Sequence, residues 1–304
     1  MNKRPILIDT DPGIDDAIAI AAALMDETLD VKLFTTVAGN VSLEKVTYNL
    51  LRLLTFLGKP IPVAKGADRP LVRDLINAAD VHGESGIDGY DFPEPDKSLL
   101  LDCHAVEAMR RVILDNPEPI TLVPIAPLTN IALLLRMYPE VGENIAEIVL
   151  MGGSTGRGNH GVLSEFNIAA DPEAAKIVFD SGLPIVMVGL DVASKSLVLP
   201  EDFTKLLSIG KAGEMTHALL KSYRGGDIKS GLKMFDSAAI AYLLRPDLFE
   251  VVETMVDVEL SGTLTAGATV VDLKGYLNRP ANAKVCVGID SEAFRTWFIE
   301  ALTE

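Results

Sequence analysis

Long runs of apolar residues constrain the fold of this 304-residue chain more than any other feature. The runs are PILID (5–9), VKLFTTVAGN (31–40), ITLVPIA (120–126), EIVLMGG (147–153) and LPIVMVGLDV (183–192). A strand with one face in water alternates apolar and polar residues, whereas a strand covered on both faces is apolar throughout. Helix-like segments lie between the runs, at 15–25, 42–57, 128–137 and 171–182. The pattern predicts an α/β fold with a mostly parallel, open, Rossmann-like sheet and helices on both faces.

The carboxy-terminal third has a different pattern. Helices are predicted for HALLKSYRGG (217–226) and MFDSAAIAYLL (234–244), strands for VVETMVDVELS (251–261), GATVVDL (267–273) and AKVCVGI (283–289), and a last helix near 291–302. The chain contains no internal repeat, low-complexity tract or clear linker. We therefore expect a single domain over residues 1–304.

The charge and composition exclude several classes of partner. The net charge of −16 repels phosphate backbones, so a nucleic-acid polymer is not expected as a partner. No stretch approaches the ~18 apolar residues of a membrane span, so no membrane is expected either. The first apolar run is too short for a signal peptide. Cys103 and Cys286 lack metal-site spacing, and a cytoplasmic location is predicted.

Polar motifs follow the predicted strands, where parallel α/β folds bind ligands. The first motif, DTDPGIDDA (9–17), contains four aspartates. Asp9 alone could tie loops together and Asp15 alone could cap a helix, but capping needs one acid rather than four. Divalent cations that prefer hard oxygen ligands require several carboxylates on one frame. The cluster therefore predicts a metal site.

Two further features have structural interpretations. GGSTGRGN (152–159) is not followed by GK[ST], so it is interpreted as a flexible loop and not as a phosphate-binding loop. His104 and His217 lie in helical patterns and are predicted to be structural.

The sequence resembles the inosine–uridine-preferring nucleoside hydrolases over nearly its whole length. The resemblance is carried by DTDPGIDDA (9–17), TVAGN (36–40), VHGESG (81–86), PLTNIALLL (127–135), MGGS (151–154), EFNIAADPEAA (165–175) and RPDLF (245–249). It points to the broad-specificity ribonucleoside branch. It implies hydrolysis of the N-glycosidic bond of a ribonucleoside to free base and ribose, by a homodimer or homotetramer.

The resemblance also implies roles for individual residues. A Ca²⁺ ion is expected on Asp11, Asp16, Asp236 and the carbonyl of Ile125, with Asp11 as the general base for a metal-activated water. The sugar is expected to bind Asp15, Asn40, Asn159, Glu165 and Asn167, with Phe166 between them. The base is expected near His82 and Phe235. Tyr223, beside RGG, is expected either over the base or in the core.

The chemistry agrees with these residue types. Breaking an N-glycosidic bond builds positive charge on the sugar, and carboxylates stabilise that charge. A metal ion lowers the pKa of its bound water, and a nearby carboxylate can then accept the proton. Asparagine amides pair with neutral hydroxyls without adding charge. The sugar is therefore predicted to supply most of the recognition.

Two positions depart from the family pattern. The residue before the metal-binding aspartate is a histidine in well-known members and is thought to protonate the departing base; here it is Phe235, which has no proton to give. The alternative donors are Tyr223, Arg224, Asp227, His82 and His160. Ala126 also replaces a glycine that is usual in the family.

Two other functions stay open at this point. A haloacid-dehalogenase-type Mg²⁺ phosphatase would use Asp9 as nucleophile and Asp11 as acid. Gly13 does not match its motif, however, and Asp15 and Asp16 would go unexplained. The other alternative is a non-catalytic nucleoside-binding relative, for which Phe235 is the support.

Overall fold

An eight-stranded sheet forms the centre of the computed structural model, which describes residues 3–226 and 228–303, with the backbone alone at residues 224 and 226. In chain order the strands of the described residues are β1 (Arg4–Thr10), β2 (Leu29–Thr36), β3 (Val63–Lys65), β4 (Ile120–Pro124), β5 (Ile145–Met151), β6 (Ile185–Val188), β7 (Leu197–Val198), β8 (Leu232–Lys233), β9 (Phe249–Thr254), β10 (Val256–Val258), β11 (Thr269–Val271) and β12 (Ala283–Ile289). Eight of these strands form the central sheet, and two further pairs, β7 with β8 and β10 with β11, lie outside it. The order in the sheet is β3-β2-β1-β4-β5-β6-β12-β9. Only β9, at one edge, runs antiparallel to its neighbour. The predicted mostly parallel sheet is confirmed.

Helices connect the parallel strands and cover both faces of the sheet. They are α1 (Ile14–Met25), α2 (Leu43–Leu57), α3 (Ala79–His82), α4 (Ala105–Asp115), α5 (Thr129–Met137), α6 (Phe166–Ala170), α7 (Pro172–Phe179), α8 (Leu190–Ala193), α9 (Pro200–Lys205), α10 (Lys211–Ser222), α11 (Phe235–Leu244) and α12 (Ser291–Ala301). Within the described residues, no helix is both long and apolar enough to cross a membrane.

The apolar strand β1 shows why both faces must be covered. Its successive side chains point to opposite sides of the sheet. Ile6 and Ile8 pack into the core that contains residues of α1, α2, α10, α11 and α12, whereas Leu7 packs into the core that contains residues of α4, α5 and α7. All three side chains are fully buried. A continuous apolar run is thus explained by two cores, one on each side of the strand.

The strand order reverses direction between β1 and β4, which lie side by side at the middle of the sheet. Chain connections leave these two strands in opposite directions, so a crevice opens beyond their carboxyl ends. Asp11 follows β1 and Ile125 follows β4. The Ile125 N–H donates to the carbonyl of Asp9 at 2.9 Å, which keeps the two strand exits together.

The carboxy-terminal third differs from its prediction at two points. The single strand expected over 251–261 is two strands, β9 in the main sheet and β10 paired with β11. Asn282 explains the break: its amide accepts from the Val256 N–H at 2.8 Å and donates to the Val256 carbonyl at 2.9 Å. The helix expected over 217–226 ends at Ser222, and a 3₁₀ turn (Tyr223–Gly226) follows.

Candidate active site

A cavity of about 160 Å³ lies beyond the carboxyl ends of the strands, at the reversal of strand order. It is lined by the thirteen residues that the sequence assigned to the metal, the sugar or the base: Asp11, Asp15, Asp16, Asn40, His82, Ile125, Asn159, Glu165, Phe166, Asn167, Tyr223, Phe235 and Asp236. The chain brings them together from positions more than two hundred residues apart. Their individual roles remain predictions.

The turn between β1 and α1 sets the orientation of the aspartates. Asp16 lies in the first turn of α1, and its Oδ2 accepts from the Gly13 N–H at 3.0 Å while its Oδ1 accepts from the Thr10 hydroxyl at 2.6 Å. The start of a helix favours negative charge because its N–H groups are unpaired. Asp15, one position earlier, points into the same cavity.

The two carboxylate oxygens of Asp11 have different surroundings. Oδ2 accepts from the Asn40 backbone N–H at 2.6 Å, whereas the buried Oδ1 has no hydrogen-bond partner among the described residues. Burial, and next the charge of Asp16, hold the pKa of Asp11 well above its usual range. Asn40 also donates its side-chain amide to the Asp11 carbonyl at 3.1 Å and to Asp16 Oδ2 at 3.0 Å. Asn40 therefore links the two acids.

The acids form a group that fits a hard divalent cation. One carboxylate oxygen each from Asp15, Asp16 and Asp236 lie within 4.8 Å of one another, and all three residues are buried. Burial, and next the charge of Asp15, raise the pKa of Asp16 to about 7 and hold that of Asp236 well above its usual range. Protons or a cation must therefore offset these charges.

The geometry of this group differs in one respect from the ligand set suggested by the resemblance. It contains Asp15, whereas the resemblance named Asp11. Asp11 and Ile125 line the same cavity. The cluster can bind a metal ion, and the unpaired Oδ1 of Asp11 is a further candidate ligand.

The cavity wall formed by the loop after β5 and by α6 is stabilised by side chains that accept hydrogen bonds from backbone N–H groups. Glu165 caps α6, with Oε1 accepting from Asn167 N–H at 2.9 Å and Oε2 accepting from Gly153 N–H at 3.0 Å and Ile168 N–H at 3.1 Å. Burial raises its pKa to about 7. Asn159 Oδ1 accepts from the Phe166 N–H at 2.8 Å. These bonds fix the loop after β5 against the cavity.

His82 and Tyr223 form a third wall, next to Asp15. The Tyr223 hydroxyl donates to Asp15 Oδ2 at 3.3 Å, and the His82 and Tyr223 ring centroids are 5.7 Å apart. His82 Nδ1 accepts from the Ile14 N–H at 3.1 Å and lies 3.8 Å from Asp15 Oδ1. His82 therefore binds the start of α1 through Nδ1 and lies beside the acid group.

Several cavity residues were not anticipated from the sequence. They are Asn77, Ala78, Asp80, Val81 and Met151. The first four directly precede or begin the VHGESG motif, and Met151 ends β5, so nearness to a motif was the available signal.

Other residues that the sequence singled out lie elsewhere. Asp9 Oδ1 accepts from the Thr35 hydroxyl at 2.5 Å and from the Asn130 amide at 2.8 Å. Asp9 therefore links neighbouring segments of the chain, which is the structural role that the sequence left open for it. His104 caps α4 and His217 packs on Phe203, away from the cavity. The side chain of Arg224 and the whole of Asp227 are outside the described residues.

The family pattern described as inosine-uridine preferring nucleoside hydrolase matches residues 6–296. The chain belongs to this family. A non-specific ribonucleoside hydrolase, RihC, from Klebsiella pneumoniae subsp. pneumoniae is 54% identical over 300 residues, covering 99% of this chain and 98% of that relative. Membership confirms the resemblance found in the sequence and places the chain among enzymes, the N-ribohydrolases. The phosphatase alternative gains no support.

Solved structures agree with the fold. A purine-preferring ribonucleoside hydrolase from Gardnerella vaginalis superposes with a TM-score of 0.89 at 29% identity, covering 98% of both chains. A plant nucleoside hydrolase superposes with a TM-score of 0.91 at 31% identity, covering 99% of both. The predicted α/β fold, with its mostly parallel central sheet, is thus confirmed.

Proposed function

We propose that this hydrolase cleaves the N-glycosidic bond of ribonucleosides with the help of Ca²⁺, releasing the free base and ribose. The observation that carries the proposal is the buried group of acids at the reversal of strand order, in a member of the nucleoside hydrolase family. The 54% identity to a non-specific ribonucleoside hydrolase supports ribonucleosides as the substrate class.

The residues that would hold Ca²⁺ are Asp11, Asp16, Asp236 and the Ile125 carbonyl, with Asp15 close enough to share the site. All of these ligands are oxygen atoms, which is the donor set that Ca²⁺ prefers. When bound, the ion would supply positive charge that offsets the buried carboxylates and lowers the pKa of a coordinated water.

Asp11 is the residue best placed to take a proton from the attacking water. The Asn40 N–H fixes Oδ2, so the carboxyl group cannot turn freely. Oδ1 has no hydrogen-bond partner among the described residues, and a lone pair is available there. A positioned base of this kind contributes about 10²–10⁴-fold to the rate.

Other acids and amides face the sugar. Asn40 uses its amide hydrogens on Asp11 and Asp16, so it can meet a ribose hydroxyl only through Oδ1. Asp15 keeps its oxygens at the cavity wall, where one accepts from Tyr223. As the C1′–N bond lengthens, positive charge develops on the ribose, and the surrounding carboxylates stabilise it.

A second candidate function follows from Phe235, which lines the cavity and cannot donate a proton. A protein that binds ribonucleosides without cleaving them would keep the acid cluster and the sugar wall. Binding of uridine or inosine with no release of ribose would favour this alternative.

The test measures released reducing sugar from uridine, cytidine, inosine and adenosine, with p-nitrophenyl phosphate as a control for phosphatase activity. We expect ribose release that is lost after treatment with EDTA and restored by Ca²⁺. Asp11→Asn keeps the shape of the side chain and removes its basicity, so kcat should fall by about 10²–10⁴-fold. Full activity in EDTA-treated protein would refute the metal dependence.

We also infer a single domain over residues 1–304, a cytoplasmic location and a homodimer or homotetramer. The two cysteines are free, in agreement with a reducing compartment. Light scattering coupled to size-exclusion chromatography measures the oligomeric state directly.

A further inference from the structure

The reaction needs a group that gives a proton to the departing base, and Phe235 cannot provide it. A purine carries negative charge as the C1′–N bond breaks unless its ring nitrogen is protonated. A pyrimidine can spread that charge onto its carbonyl oxygens. Within the described residues, the side chains of the cavity wall that carry an imidazole or a phenol are His82, His160 and Tyr223.

Hydrogen bonds already engage two of these three groups. His82 Nδ1 accepts from the Ile14 N–H at 3.1 Å and lies 3.8 Å from Asp15 Oδ1, so this nitrogen faces the acid group. The Tyr223 hydroxyl donates a hydrogen bond to Asp15 Oδ2, an acid of the candidate metal group.

His160 differs from both in its surroundings. Its side chain is exposed to solvent at the rim of the cavity, and its ring lies edge-on to the Phe166 ring at 6.0 Å between centroids. Phe166 lines the same cavity. A general acid must recover its proton from water after each turnover, and the exposed ring of His160 has direct access to water.

The backbone around His160 is fixed although its ring is exposed. The His160 N–H and the Asn159 N–H both donate to the Ser164 carbonyl at 3.0 Å, and the Gly158 N–H donates to the Val162 carbonyl at 2.9 Å. The Ser164 hydroxyl in turn donates to the Ala266 carbonyl at 2.8 Å. The loop is therefore anchored to the segment between β10 and β11, and it holds the imidazole at one edge of the cavity.

We propose, building on the ribohydrolase function above, that His160 is the general acid that protonates the leaving base. The electron pair of the C1′–N bond stays with the base nitrogen, and the His160 imidazolium gives its proton to the base. Water adds to C1′ and its proton passes to Asp11. Asp11 then releases that proton to solvent and His160 takes one up, so each turnover consumes one water and no net proton.

The test compares two substrates whose leaving groups differ in their need for a proton. Inosine needs protonation of its base, whereas p-nitrophenyl β-D-riboside releases a stable phenolate. In His160→Gln, kcat for inosine should fall by about 10²–10⁴-fold, and kcat for the p-nitrophenyl riboside should fall by much less. KM should change little, because the acid acts in the transition state.

His217→Gln is the matched control, since His217 packs on Phe203 outside the cavity. The double variant His160→Gln/Phe235→His places an imidazole on another wall of the same cavity, and recovery of inosine turnover in it supports the proposal. If His160→Gln cleaves inosine as well as His217→Gln does, the proposal is overturned. Equal losses on both substrates overturn it too, because they indicate a role in sugar binding or folding. A wild-type protein that cleaves neither substrate refutes the ribohydrolase function itself, so the two failures are distinguishable.

Discussion

A single methyl group added at Gly39 should displace the carboxylate of Asp11, the proposed general base. A Cβ at this position would lie 2.1 Å from Asp11 Oδ2 and 3.0 Å from Pro127 Cδ. The φ of Gly39 is not in the left-handed region, so alanine is permitted by the backbone and only the contact matters. Since non-bonded carbon and oxygen atoms need more than about 3 Å, the carboxyl group must move by about 1 Å.

Two effects follow from that movement. The Asn40 N–H loses its 2.6 Å bond to Asp11, and an unsatisfied buried N–H costs about 1–3 kcal/mol of stability. A displacement of about 1 Å in a catalytic group costs about 10²-fold in rate. Gly39→Ala should therefore fold, unfold at lower urea concentration, and lose about 10²-fold in kcat for uridine.

The assay pairs ribose release with urea unfolding in Gly39→Ala and Gly142→Ala. Gly142 is the matched control because its Cβ would meet only Leu183 Cδ2, at an ordinary distance of 3.7 Å. If Gly39→Ala has the same kcat as Gly142→Ala, then the position of the Asp11 carboxyl does not limit the reaction, and the reasoning about the general base is wrong.

Three other predictions address the sugar, the core and a partly buried ion pair. Uridine should exceed 2′-deoxyuridine by roughly 10⁴-fold in kcat/KM, since a site built to pair a hydroxyl rejects the analogue that lacks it; comparable values would contradict sugar recognition. Asp171→Ala removes the carboxylate that accepts hydrogen bonds from the Leu71 N–H, the Thr129 hydroxyl and the Ala174 N–H at the start of α7. The free energy of unfolding in urea should fall by about 3–5 kcal/mol. A fall below about 1 kcal/mol would contradict this structural role for Asp171. Burial acts to raise the pKa of Asp202, but its bonds from Arg295 and Lys205 outweigh burial and lower it. Because the folded-state pKa is lowered, the ionised Asp202 stabilises the protein at pH values above its unfolded-state pKa near about 3.9. This stabilisation is lost as the pH falls through the folded-state pKa. The difference in unfolding free energy between wild type and Arg295→Ala should therefore shrink from pH 7 to about pH 3.

The sheet and the composition of the site could be predicted from the sequence because both depend on local patterns. Apolar runs report strands buried on two faces, as Ile6, Leu7 and Ile8 show. Polar motifs at strand exits converge because parallel strands share one carboxyl edge, so Asp11 and Asn40 meet there.

Features set by individual side-chain bonds could not be predicted in this way. The separation of β9 from β10 depends on the amide of Asn282, which no apolar pattern records. The group of acids whose oxygens lie within 4.8 Å of one another contains Asp15, whereas the carboxylate of Asp11 accepts from the Asn40 N–H. The spacing of the aspartates in the sequence does not determine which way each carboxylate points. Asn77 and Asp80 lie in or beside α3, which has only four residues and is too short to show periodicity.

The acid group joins two helices that are far apart in the chain. Asp16 belongs to α1 near the amino terminus and Asp236 to α11, more than two hundred residues later. An ion bound by both would act as a cross-link that closes most of the polypeptide into one loop. Cross-links of this kind stabilise mainly by restricting the unfolded chain, and the effect grows with loop length. The acids proposed for the metal and the sugar would then make the ion part of the folding equilibrium. The protein would bind the ion tightly only after the last third of the chain has folded.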